Sequence, residues 1–176
     1  MIFRETKIEG VVVVEPEASE DTRGLFARTF SLSEFSKRGL MATVVEGSVS
    51  FNPHKGTLRG MHYQAEPHAE SKLVRCSRGS IFDVAIDLRA HSRTYRHWHG
   101  ELLSADNRTA LHVPQGCAHG FVTLEDSTEL IYLIDQPYNS KSARGVRWDD
   151  SAFGIVWPEA PRMISKRDAT YPDFLP

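Results

Sequence analysis

The sequence predicts an all-β fold, a jelly-roll barrel or sandwich with short helices at its periphery. Three observations carry this. Runs of β-prone residues recur roughly every ten positions through the middle of the chain. Gly, Pro, Asn and Asp punctuate them, and no intervening stretch has the longer helical periodicity that alternating βα units require. With 176 residues, 40% hydrophobic and 25% charged, the chain has the size and balance of one domain, residues 1–176, around one core.

Taken in order, Val11 to Val14 opens the series. Ser33 to Arg38 is the clearest early helix: Ser31 and Glu34 stand at capping-box spacing, and Gly39 supplies a left-handed stop. Strands follow at Val44 to Phe51, Thr57 to Tyr63, Lys72 to Ser77, Ile81 to Leu88, Trp98 to Leu103, Ala110 to Val113, His119 to Leu124 and Glu129 to Asp135. Within Ile81 to Leu88, the apolar Phe82, Val84, Ile86 and Leu88 alternate with Asp83 and Asp87, which predicts an apolar inside and an acidic outside. After residue 150 the alternation fades into Trp157-Pro158, Ala160-Pro161 and Tyr171-Pro172, the pattern of coils and short turns wrapped around a barrel. The mouth of such a barrel is a natural small-molecule pocket.

Charge and cysteine usage exclude several functions. Lys and Arg number 21 against 23 Asp and Glu, a formal net charge of -2, which argues against a coat for nucleic acid or an anionic membrane. The longest apolar runs, such as Gly10 to Val14, are far too short to span a bilayer. Met1-Ile2-Phe3-Arg4-Glu5 lacks the basic-then-apolar order of a secretory signal, so a cytoplasmic location is expected. Cys76 and Cys117 are isolated from each other and read as reduced packing residues.

The segment Gly56-Thr57-Leu58-Arg59-Gly60-Met61-His62-Tyr63-Gln64 places many polar groups in a strand, which suggests a pocket wall. Strict alternation puts Arg59 and His62 on opposite faces, but a bulge at Gly60 would bring both to one. On residues alone, His62 is either a pocket base or a hydrogen-bonded core histidine, and Arg59 either a pocket cation or a surface ion-pair partner. Lys72, at the start of a strand, could present a cation to a developing oxyanion, or simply cap the strand in water. Tyr132 sits in an apolar strand, where its hydroxyl needs a partner and could serve as a general acid. His97 and His99, with Glu101, have the spacing of ligands on one strand face, and His112 and His119 flank Pro114-Gln115-Gly116. No segment offers a complete ligand set, the polar run Ser92 to Arg96 favours a solvent-facing edge strand, and no metal site is expected.

At this point the motifs converge. Asp21 to Phe26, Gly56 to Gln64, Lys72 to Arg75, Asp83 to Arg89, Leu103 to Asn107, Val113 to Gly116, Ala118 to Phe121 and Gly145 to Asp150 occur in an order that resembles the dTDP-4-dehydrorhamnose 3,5-epimerases, cupin-like jelly-roll enzymes, along nearly the whole chain. The resemblance implies that His62 is the general base, oriented by Asp168, that Tyr132 is the general acid, and that Lys72 steadies an enolate oxygen. It implies substrate-binding positions at Arg23, Phe26, Ser48, Arg59, Lys72, His119, Tyr138 and Arg167. It further implies a nucleotide-diphosphate 4-keto-6-deoxy sugar as substrate, no cofactor, and a homodimer in which N-terminal strands of one copy complete the nucleotide pocket of the other. Arg28 and Ala143 stand where well-known members carry glutamates, which keeps open an alternative: a related epimerase that takes another nucleotide sugar or inverts a single carbon.

Overall fold

The computed structural model describes residues 1–175. Its elements are β1 (Ile2–Glu5), β2 (Val12–Glu15), β3 (Ala18–Asp21), β4 (Gly24–Ala27), α1 (Leu32–Lys37), β5 (Glu46–Asn52), β6 (Thr57–Gln64), β7 (Lys72–Arg78), β8 (Ser80–Asp87), β9 (Trp98–Ser104), β10 (Ala110–Val113), β11 (Cys117–Thr123), β12 (Thr128–Ile134), β13 (Ala143–Gly145), β14 (Met163–Ile164) and α2 (Lys166–Ala169). One sheet runs β1-β2-β10-β7-β12-β5. The other runs β13-β6-β11-β8-β9, with β14 added parallel to β6. The hairpin β3-β4 forms a small sheet of its own. The jelly-roll prediction holds, with short helices outside it. No helix among the described residues is long and apolar enough to cross a membrane.

Both faces of much of each sheet are covered, which explains why the strands carry near-continuous apolar runs. Val13, Val74, Cys76, Ile81, Ala85, Leu111, Phe121 and Leu130 meet between the sheets. Outside one sheet, Val12, Val14 and Leu73 pack beneath Phe35 of α1. Outside the other, Met61, Val84 and Ile86 pack beneath Phe153, Trp157 and Phe174 of the C-terminal segment. The predicted polarity of β8 is therefore reversed: Asp83 and Asp87 share the interior-facing side of Ile81 and Ala85, and both are fully buried. Burial opposes the charge of Asp87, yet bonds from Arg89, Ser92 and Thr94 outweigh it and hold the carboxyl at about 2.

Helix α1 begins at Ser31 without the capping box, because the Ser31 hydroxyl meets Ser33 Oγ at 3.1 Å rather than the helix backbone. Gly39 does end it in the left-handed region, at φ +67°. The free thiols Cys76 and Cys117 are buried, and desolvation pushes them up to about 11 and about 12.

The anticipated bulge is present. His119 and Phe121 of β11, two residues apart, face His62 and Arg59 of β6, three residues apart, so β6 carries one extra residue and both side chains emerge on one face. Gly60 permits this: at φ +146°, a Cβ there would lie 2.5 Å from the Gly120 Cα. Gly60→Ala is expected to cost about 2–4 kcal/mol and lower Tm by roughly 5–15 °C, read by calorimetry.

His112, fully buried on β10, donates from Nδ1 to the Gly10 carbonyl at 2.9 Å, while Nε2 has no side-chain or backbone partner among the described residues. Desolvation, only partly offset by the Gly10 bond, lowers its pKa from 6.5. As pH falls below 6.5, the unfolded chain takes up a proton that the folded ring refuses, so stability is present above that value and lost below it. In urea titrations the wild-type midpoint is expected to fall between pH 7 and 5 more steeply than that of His112→Gln.

Candidate active site

A cavity of about 710 Å³ opens between the two sheets and brings His62, Arg59, His119, Tyr132, Arg167 and Asp168 together. Six elements contribute: β6, β11, β12, β5 through Ser50, β14, and α2 with its N-cap Ser165.

His62 Nε2 lies 2.8 Å from Asp168 Oδ1. The carboxylate arrives from α2, which is capped by Ser165 accepting from the Asp168 N–H at 3.1 Å. Asp168 is 3% exposed, and its second oxygen accepts from the Gly60 N–H at 3.4 Å. Burial opposes its charge, but the bonds from His62, Gly60 and Arg167 outweigh burial and hold the carboxyl below the ordinary carboxylate range. An ionised Asp168 accepts, so Nε2 carries the proton and the other ring nitrogen keeps its lone pair. Arg167 approaches the same pair, with Nη2 3.2 Å from His62 Nε2 and Nε 3.4 Å from Asp168 Oδ1.

Tyr132 reaches the cavity from the opposite sheet, on the interior face of β12. Burial, and then the negative charge of Asp83, raise its pKa far above that of a free phenol, against a smaller opposing effect of Arg59. The hydroxyl therefore stays protonated at neutral pH, the form in which a phenol can donate a proton. Between the two groups stands His119, which pairs with His62 across the strands and meets the Tyr132 ring edge-on at 6.1 Å. His119 Nε2 is held 2.7 Å from Asp83 Oδ1. Arg59 Nε donates to Asn52 Oδ1 at 2.7 Å, which aims its guanidinium along the cavity wall.

The remaining expected residues fall elsewhere. Lys72 shares the interior face of Val74, but its Nζ donates to Glu70 at 2.7 Å and it does not line the cavity. Tyr138, 63% exposed, borders a smaller adjoining cavity of about 140 Å³ together with Ala143 and Arg167. Ser48 lies opposite Tyr132 in the sheet and is exposed; Ser50, two residues along the same face, lines the cavity instead. Arg23 and Phe26 are on the projecting hairpin β3-β4, well exposed, with Arg23 bonded to its own Asp21. In a single chain they do not reach the cavity. His99 pairs with Glu101, itself bonded to Arg4, and among the described residues no three His, Cys, Asp or Glu side chains cluster as metal ligands would.

Asp83, Asn52 and Ser165 were not anticipated. Asp83 had a signal, its alternation in β8, but it was assigned to the wrong face. Asn52 and Ser165 act by holding Arg59 and α2, and nothing in a linear pattern links them to their partners.

The jelly-roll barrel with a mixed acid–base cavity between its sheets defines the class, a cupin-like fold with an enzyme's pocket. Comparison with known proteins fixes the family: the model of the dTDP-4-dehydrorhamnose 3,5-epimerases matches residues 5–175, and the chain belongs to that family. A dTDP-4-dehydrorhamnose 3,5-epimerase of Sinorhizobium fredii is 40% identical over 175 residues, covering 99% of this chain and 90% of its own. The crystal structure of the enzyme from Elizabethkingia anophelis superposes with a TM-score of 0.95 at 37% identity, covering 99% of this chain and 96% of that one. A 3'-monoepimerase of Streptomyces bikiniensis, solved with dTDP-quinovose, has a TM-score of 0.89 at 30% identity, covering 97% and 86%.

Proposed function

We propose that this chain inverts C3 and C5 of dTDP-4-dehydro-6-deoxy-D-glucose to give dTDP-4-dehydro-L-rhamnose, with His62 as base and Tyr132 as acid. The observation that carries this reading is the dyad of His62 with Asp168 on one side of a single cavity and the Tyr132 phenol on the other. The C4 ketone acidifies the hydrogens on C3 and C5. His62 removes one, leaving an enolate, and Tyr132 protonates the carbon from the opposite face. The carbonyl starts and ends at one oxidation level, so the reaction needs no redox cofactor. Lys72, on the interior face beside Ile134, supplies in this reading the cation that steadies the enolate oxygen once it leaves Glu70. Arg59 and Arg167 offer forked donors suited to a diphosphate.

The working form in this reading is a cytoplasmic homodimer. Val49 and Ile131 are paired across β5 and β12 and exposed on the outer face, with Phe51 beside them, an apolar patch suited to a second copy. The hairpin bearing Arg23 and Phe26 then reaches the neighbour's cavity. Buried free thiols fit a reducing compartment.

Likeness to a 3'-monoepimerase, with Ala143 at the smaller cavity, supports a second reading in which one carbon is inverted. Incubating the protein with the 4-keto sugar nucleotide in heavy water decides between them. Deuterium at C3 and C5 supports the first, deuterium at one carbon the second, and none overturns both.

A further inference from the structure

Tyr171 lies three residues beyond Asp168, just past the end of α2. Its ring meets the ring of His62 edge-on, with centroids 6.4 Å apart and planes at 68°. The space it occupies exists because residue 145 is glycine. Gly145 is the β13 residue paired with His62, and a Cβ on it would lie 2.2 Å from Tyr171 Cζ and 2.6 Å from its oxygen. Arg147 anchors the segment: its Nη1 donates to Asp173 Oδ1 at 2.6 Å and reaches the Tyr171 carbonyl at 3.5 Å.

Hydrogen bonding to Asp168 fixes one nitrogen of His62 but leaves the imidazole free to rock about that bond. A flat aromatic against its edge removes this freedom, and only a residue without a Cβ at 145 admits one. We infer that Tyr171, seated on Gly145, is a positioning residue that fixes the plane of the His62 ring for proton removal. The inference rests on the proposed role of His62 as base. What matters in it is the ring of Tyr171, not its hydroxyl.

Two measurements test it. In the protein without substrate, 13C relaxation of the His62 ring C–H groups, assigned with a His62→Gln variant, reports the motion directly. The ring is expected to be rigid in the wild type and in Tyr171→Phe, and mobile in Tyr171→Ala. Equal rigidity in all three overturns the inference, whatever the substrate proves to be. With the 4-keto sugar nucleotide, Tyr171→Ala is expected to lower kcat by roughly 10- to 100-fold with KM within about twofold, and Tyr171→Phe to restore it. A raised KM at unchanged kcat, or a Phe variant as impaired as the Ala variant, overturns it. Gly145→Ala should match Tyr171→Ala, and the double variant should be no worse than either; additive losses overturn the shared seat. Should the wild type show no exchange, the proposed reaction fails while the relaxation result still stands or falls by itself.

Discussion

Replacing His62 by alanine is expected to lower deuterium uptake at every carbon the enzyme exchanges by roughly 100- to 10,000-fold, the range a positioned general base supplies. The reason is geometric as much as chemical. His62 is the group in the cavity that combines a free lone pair with a buried carboxylate on its other nitrogen. His119 resembles it, with Asp83 as its own carboxylate, but it is 4% exposed and belongs to the cavity's inner wall, edge-on to Tyr132. It therefore makes a poor substitute base. NMR of substrate recovered from heavy water checks the result, and full exchange in the variant would remove His62 from its role. Circular dichroism should show an unchanged fold, because His62 is partly exposed and its loss opens no core cavity.

Tyr132→Phe produces a different defect. The ring that packs against the core remains, so stability is expected to change little, and in the proposed mechanism His62 can still form the enolate. Without the phenolic proton, the proposed mechanism returns the proton to the face it came from. Net inversion is expected to fall by roughly 100-fold or more while exchange of the original hydrogens is largely spared. Comparing deuterium uptake with product configuration in one sample separates the two steps. A product mixture identical to that of the wild type would count against Tyr132 as the donor.

The strands and much of the site were legible in the sequence, and the failures have physical causes. Ala110 to Val113 was predicted with its exact ends, and the other core strands within about two residues, because each carries an apolar run closed by turn residues. β3 and β4 were missed since all but one of their residues are exposed, and a hairpin off the core leaves no burial pattern. The faces of β8 were exchanged because alternation distinguishes two sides without saying which is inner, and Trp157 and Phe153 cover the outer one. The bulge at Gly60 was readable from its glycine and from the polar residues either side. Helix α2 was not: four residues make no stable helix in isolation, and this one stands by its serine cap and the bond from Asp168 to β6.

That last dependence has a consequence for the order of assembly. Strands β1 to β13 all precede residue 146, whereas the carboxylate for His62 follows at residue 168. A protein made from its N-terminus can thus close most of its two-sheet shell on the ribosome while its base still lacks a partner. The His62–Asp168 pair is then completed only after the strand that carries the histidine is in place.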